Sequence, residues 1–420
     1  MANSRYQIET QSTFSKVEEK CMSTNILDNI DPQTLGELLQ QARKKCGMNQ
    51  SDAAKVIDAA RTTMVAIEKG ERRLKATELI KLARAYGRSV SEFVRARPVV
   101  QPFEMQFRAA YQRSEGEEVQ IEPAILQLEE LCRNYLELEE IMSAPLPQNY
   151  PPEEEVTNMP LKAVAESIAI AERQRLGLGD SPISRLRDIL EQDVGLRIFY
   201  LKMPPKYSGI YTYDERLGGC IAINANHPEE RRRWSLAHEY LHFLVHRRKA
   251  VLEFEGQYQR VPESERLAET FPKYFLMPTS GLLKRFKDMS GIHNKFTPTH
   301  LFTLAHYYGV SVEALAYRLE EMELLPAGTW ERLRDRGLKV RKVQQDLGLE
   351  DIPQRTDTIP LHYQHLAIEA LDQGLITESR FSDFLNVDRL EARRIAETLR
   401  EHSSGMMEEA SHFDLINMQE

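Results

Sequence analysis

At 420 residues with 41% hydrophobic side chains, the chain is globular and long enough for two or three separately cored domains. Its four cysteines, Cys21, Cys46, Cys132 and Cys220, are scattered without C-x-x-C spacing, which argues against a disulfide framework and against a cysteine-built zinc site. The net charge of −9 discourages nucleic-acid binding only until its distribution is considered: Thr34 to Arg95 carries 13 Lys/Arg against 7 Asp/Glu, a local +6 that leaves −15 for the rest.

No apolar run of about 18 residues occurs, and the polar start Met1-Ala-Asn-Ser-Arg-Tyr has no signal-peptide core, so a cytoplasmic protein without a membrane span is expected. Residues 1–30 show no usable period and are expected to be mobile. The basic stretch, expected as a domain over 31–96, reads as five short helices. Thr34 is the expected cap of Leu35 to Lys45, Asn49 precedes Gln50 to Ile57, and the turn Asp58-Ala59-Ala60 leads into Thr62 to Lys69. Thr77 is expected to cap Glu78 to Tyr86, and Ser91 starts the last helix. Gly70 ends the third, and Arg72, Arg73 and Lys75 follow where they can meet phosphates.

The order Leu35, Leu38, Arg43-Lys44, then Asn49-Gln50-x-x-Ala53-Ala54, then Ile67-Glu68-Lys69-Gly70-Glu71-Arg72 resembles the XRE (Cro/C1-type) helix-turn-helix repressor family across essentially its whole domain. The resemblance implies that Gln50, opening the second helix, contacts a phosphate or base edge. It also implies that Arg61, Thr62, Thr63 and Ala66 face the major groove of a double-stranded operator. A helical docking module with a merely basic face is the bland alternative.

Residues 97–160 are bounded by prolines and enclose a helix around Ile121 to Met142, a connector whose apolar stripe leaves open whether it packs on a neighbouring domain or on a second copy in a homodimer. A domain over 161–326 should follow. It begins with a helix from Lys162 to about Leu176 and another from Ile183 to Gln192. Three β-rich runs, Leu196 to Leu201, Gly209 to Tyr213 and Gly219 to Ala225, then form a small sheet.

Next comes Trp234-Ser-Leu-Ala-His238-Glu239-Tyr240-Leu241-His242-Phe-Leu-Val-His246. At 3.6 residues per turn His238 and His242 project from one helix face, so both imidazoles can reach one Zn²⁺ with Glu239 beside the open coordination position. The helix is apolar nearly all round, as a buried helix should be, and polar ligands there would be costly without a metal. A further helix beginning near Pro262 carries Glu265 and Glu269 at i, i+4, so one can ligate while the other accepts a hydrogen bond from a ligating imidazole. This order resembles that of gluzincin-type zinc peptidases, which makes Glu265 the ligand and Glu269 its supporting partner.

Leu176-Gly-Leu-Gly-Asp180-x-Pro182-Ile183, Ile221-x-Ile223-Asn224, Arg233-Trp-Ser-Leu-Ala-His238-Glu-x-x-His242, and Glu265-x-x-Ala268-x-x-Phe271 to Leu276-Met277-Pro278 together resemble the ImmA/IrrE family of zinc metallopeptidase domains over roughly residues 160–325. The resemblance implies zinc on His238, His242 and Glu265, with Glu239 as the catalytic base. Three positions depart from the family: Glu269 stands where Asn is usual, Leu241 where Gly is usual, and Pro272 where a small residue is usual. A second helix-turn-helix-like pattern, Thr299 to Met322, lacks a basic cluster and reads as domain support. Within 327–420 the stretch from Leu361 to about His402 reads as an α-helical interaction module, with a mobile end from 403.

The expected class is therefore α+β, mainly α: a five-helix XRE-type helix-turn-helix domain, a gluzincin-like zincin domain with a small sheet, and a C-terminal helical module. Two functions follow. One is a DNA-bound regulator whose zinc endopeptidase domain cleaves a partner repressor or toxin–antitoxin-like protein after a stress or mobile-element signal, as the resemblance implies. The other is a non-catalytic repressor that uses the zinc domain for sensing or docking. Tyr240, His246, Tyr211 and Tyr213 are all open as donors to a developing oxyanion.

Overall fold

The computed structural model describes residues 27, 30–88, 90–94, 102–103, 106–107, 118–153, 159–254, 262–291, 295–349 and 358–410. Most of the expectation for residues 1–30, and that for 411–420, lies outside them. The chain divides into two compact units: residues up to Arg97 together with those from Leu371 onward, and Pro98–Ala370.

In the first unit α1 (Pro32–Lys45), α2 (Gln50–Val56), α3 (Arg61–Glu68), α4 (Ala76–Tyr86) and α5 (Ser91–Val94) follow in order. Two of the expected caps move. Asp31, not Thr34, caps α1, accepting from the Thr34 amide at 2.8 Å, and Pro32 supplies the pre-set φ of a first helical turn. Thr77 lies inside α4, which starts at Ala76 with the Glu78 carboxylate accepting from the Lys75 amide at 2.9 Å. Asn49 caps α2 as expected, accepting from the Asp52 amide at 2.9 Å. Gly70, at φ 73°, lets the chain leave α3 in the left-handed conformation. The core gathers Leu35, Leu39, Ala53, Ala54, Met64, Ile67, Leu79, Leu82 and Phe93. Beneath it Arg43 pairs with the buried Glu68 at 2.6 Å.

The same unit contains α17 (Glu378–Leu385) and α18 (Arg389–Ala410). Arg88, which follows α4, pairs with Asp383 of α17 and donates to the Ser379 carbonyl at 3.5 Å. The helix α18 runs past residue 402 to Ala410.

The second unit is built on a four-stranded sheet of order β1-β3-β2-β4, formed by β1 (Arg197–Leu201), β2 (Tyr207–Asp214), β3 (Gly218–Asn224) and β4 (Val251–Phe254). β1 pairs parallel with β3, and β2 pairs antiparallel with both β3 and β4. β4 has no counterpart among the expected strands. Both sheet faces are covered, which explains why its strands are apolar without alternation.

One face packs on α6 (Glu118–Met142), whose Tyr135 meets Phe199 edge-on at 6.4 Å and whose Glu139 pairs with Arg197 at 2.6 Å. The connector helix, left without a partner in the sequence reading, is thus fastened to the sheet. The face bearing Ile198, Tyr200, Tyr211, Ile221 and Ile223 joins a core shared with α7 (Leu161–Arg175), α9 (Glu229–Val245) and α10 (Glu263–Leu276). The expected helix from Ile183 to Gln192 is α8 (Leu186–Ile189), continued by a wider turn over Leu190–Val194. Further helices are α11 (Thr279–Ser290), α12 (Pro298–Tyr308), α13 (Val312–Glu321), α14 (Thr329–Asp335) and α15 (Val340–Asp346), and α16 (Leu361–Asp372) closes the series. No helix among the described residues is long and apolar enough to cross a membrane.

Candidate metal centre and nucleic-acid interface

α9 is buried along almost all of its length, and arginines fix its position. Arg233 donates to the carbonyls of Ile183 at 2.5 Å, Ser184 at 3.3 Å and Gly309 at 3.1 Å, which ties the helix to two loops. Arg173 of α7 does the same for α10, donating to the carbonyls of Phe275 at 2.6 Å and Gly179 at 2.8 Å. These bonds explain why an arginine precedes the histidine pair and why the Gly-Leu-Gly-Asp turn lies where it does. Asn224 at the end of β3 is likewise structural, donating to the Tyr207 carbonyl at 2.7 Å and the Met203 carbonyl at 3.2 Å.

On this scaffold the Nε2 atoms of His238 and His242 face one another at 3.2 Å. An oxygen of Glu265, on α10, lies 3.6 Å from the first and 3.5 Å from the second. All three side chains are buried, and the other Glu265 oxygen has no hydrogen-bond partner among the described residues. Two imidazoles and a carboxylate converging at such distances form a donor set suited to Zn²⁺, and three protein ligands leave a position for water or substrate. The residues therefore fit the ion that the sequence implies.

The charges around this point are strongly coupled. Burial pulls His238 down, but the carboxylates of Glu253, Glu265 and Glu239 outweigh it and push the imidazole up to about 9. His242 is held down at about 4 by burial and by its charged neighbour His238. For Glu265 burial is outweighed by hydrogen bonds from both histidines, and its carboxyl sits well below the usual range. Glu239 is fully buried, neither of its oxygens has a partner among the described residues, and burial raises its pKa well above the ordinary carboxylate value. Gly209 of β2 makes room for it, since a Cβ there would come within 2.9 Å of both Cγ and Cδ of Glu239.

Other expected groups are placed elsewhere. Glu269 is exposed on α10 and is not brought to the histidines. The buried stripe of that helix runs through Glu265, Ala268, Phe271, Pro272 and Phe275, and residue 269 lies at its exposed flank. Pro272 is accommodated in the helix, two turns beyond Glu265. Leu241 is fully buried in the core. The hydroxyl of Tyr240 is engaged by Glu172, and that of Tyr211 donates to the Arg247 carbonyl. Tyr213 is only partly buried, whereas the His246 ring lies 6.3 Å from His242 with its Nδ1 unpartnered among the described residues. Sequence reasoning missed Glu253, whose carboxylate clusters with His238 and Glu239. Its only signal was a carboxylate inside the short run Val-Leu-Glu-Phe.

In the first unit Arg61 and Thr62 open α3 in full exposure, and Thr63 and Ala66 are half-buried beside them. Arg73 is exposed, while Arg72 pairs with Glu78 at 2.8 Å. The Gln50 amide donates to Glu68 at 2.9 Å, so this side chain braces the buried Arg43–Glu68 pair.

Comparison with known proteins agrees with this division. Residues 39–93 match the family model described as Helix-turn-helix, the type found in DNA-binding regulators. Residues 191–320 match the M78 peptidase model described as IrrE N-terminal-like domain. No curated protein matches the chain. Over these two segments, in this order, the chain is similar to an XRE-type helix-turn-helix domain followed by an IrrE-like domain of the M78 peptidases.

Proposed function

We propose that the protein is a transcriptional regulator whose second unit is a zinc-dependent endopeptidase of gluzincin type, acting on a partner repressor or toxin–antitoxin-like protein in the cytoplasm. The observation that carries this reading is the convergence of His238, His242 and Glu265 on one point, with the buried and unpartnered Glu239 beside it. A zinc ion held by those three residues would polarise a scissile carbonyl and acidify water. Glu239, with its raised affinity for a proton, is suited to take a proton from the attacking water and deliver it to the leaving amine. His246 is the best placed donor for the developing oxyanion, because the hydroxyls of Tyr240 and Tyr211 are already engaged. Burial of the centre excludes bulk water and strengthens each of these interactions.

The first unit serves to hold the protein on double-stranded DNA. Arg61, Thr62, Thr63 and Ala66 of α3 face the major groove, Arg73 approaches a phosphate, and a homodimer would read an inverted repeat. Gln50 and Arg72 act first within the domain, and their contact with DNA requires a change of partner. A stress or mobile-element signal would release cleavage of the partner.

The test incubates zinc-loaded protein with the products of neighbouring genes and looks for discrete fragments by mass spectrometry. Glu239→Gln should retain about one zinc per chain and lose cleavage. Fragments that persist at the native rate in Glu239→Gln would refute the assigned base.

A further inference from the structure

Strand β4 pairs antiparallel along β2, with Val251 opposite Tyr211, Leu252 opposite Ile210 and Glu253 opposite Gly209. Side chains of directly paired residues leave a sheet on the same face. Gly209 is the residue whose missing Cβ would run into Glu239, so Glu253 leaves on the face that looks at α9. Its ligand atom lies within 4.8 Å of those of His238 and Glu239. One Glu253 oxygen is buried and, like both oxygens of Glu239, has no hydrogen-bond partner among the described residues. Two unpartnered carboxylates beside a ligating imidazole are costly when buried, and a cation among them relieves the cost.

The backbone of β4 makes a second point. It takes the hydrogen-bonding edge of β2, the strand that lies against the histidine helix, and an extended peptide would pair there by strand addition. β4 thus has the direction, the pairing and the side-chain reach of a substrate segment, but it belongs to the chain itself.

We propose that Glu253 is an additional carboxylate of the metal centre, delivered by β4, which stands in the place of a substrate strand and keeps the centre closed at rest. The proposal rests on the metal-centre reading above. Substrate entry then requires Glu253 to move away from His238 and Glu239. Removing the carboxylate should weaken metal binding and at the same time open the site to small ligands, a pair of effects that a merely packed side chain would not produce.

The experiment uses the full chain loaded with Co²⁺ and acetohydroxamate as the probe, comparing the native protein with Glu253→Ala and with Glu253→Gln, which preserves size. Both variants should show an altered visible cobalt spectrum, a cobalt affinity lower by about 10- to 100-fold, and tighter binding of acetohydroxamate. An unchanged spectrum with unchanged cobalt and acetohydroxamate affinities in both variants would overturn the proposal. Cobalt binding that survives the combined His238→Ala and His242→Ala change would instead overturn the underlying metal-centre reading, and this proposal with it.

Discussion

The tightest constraint on the proposed catalytic arrangement is the missing side chain at Gly209. A Cβ there would lie 2.9 Å from both Cγ and Cδ of Glu239 and closer still to Oε1. Carbon atoms in contact prefer about 3.5–4.0 Å, so the overlap approaches 1 Å. β2 cannot retreat easily, because it is paired on both sides, with β3 and with β4. Glu239 must swing instead, and it has no hydrogen bond among the described residues to hold it. Gly209→Ala should therefore cost about 1–3 kcal/mol of stability through overpacking. It should lower peptide cleavage by roughly 100-fold, the usual consequence of a misplacement near 1 Å. Zinc content should stay near that of the native protein, since the three atoms nearest to a Cβ at Gly209 all belong to Glu239. Urea unfolding, elemental analysis and turnover of a fluorogenic peptide pool read the three quantities. Native turnover in a folded Gly209→Ala protein would refute the placement of Glu239 as the base.

Other expectations follow from the same coordinates. Glu265→Ala should lower zinc affinity severely, whereas Glu269→Ala should leave it within about threefold, because an exposed side chain that reaches neither imidazole has little to lose; competition with a chelating dye measures both, and equal losses would return Glu269 to the centre. In the first unit, Glu68→Ala leaves Arg43 buried without its partner and should destabilise that unit by about 3 kcal/mol, readable as a lower urea midpoint and as weaker operator binding. Glu191, beneath α6 and accepting from the Tyr135 hydroxyl at 3.1 Å, is raised by burial to about 7 from 4.5. Because its folded pKa exceeds the unfolded one, its stabilising contribution is complete below pH 4.5 and is lost as pH rises through about 7. Glu191→Gln should remove that dependence and stabilise the protein by about 3 kcal/mol at pH 8 relative to pH 4.5, and an unaltered slope of unfolding free energy against pH would refute it.

The proposed ligand pair was legible because a helix repeats its faces every 3.6 residues, which brings His238 and His242 together whatever the rest of the fold does. Most helix positions were legible too, although Asp31 and Ala76 took the starts expected near Thr34 and Thr77. The i, i+4 rule places Glu265 and Glu269 near each other along α10 without saying which lies inward, and it is Glu265 that is buried. β4 escaped notice because four residues supply too little alternation to mark a strand, and its existence depends on the edge that β2 offers from far earlier in the chain, Glu253 lying opposite Gly209. Gln50 was read as a DNA contact, but a buried glutamate in need of donors captured its amide.

The unit that carries the helix-turn-helix is assembled from two separate stretches of the sequence, with Arg88 clasping Asp383 from far along the chain. During synthesis its first part leaves the ribosome long before α17 and α18 exist, so the IrrE-like segment has time to fold while the clasp is still missing. A proteolytic nick between the two parts would leave the first unit as two separate fragments joined by noncovalent contacts such as the Arg88–Asp383 pair.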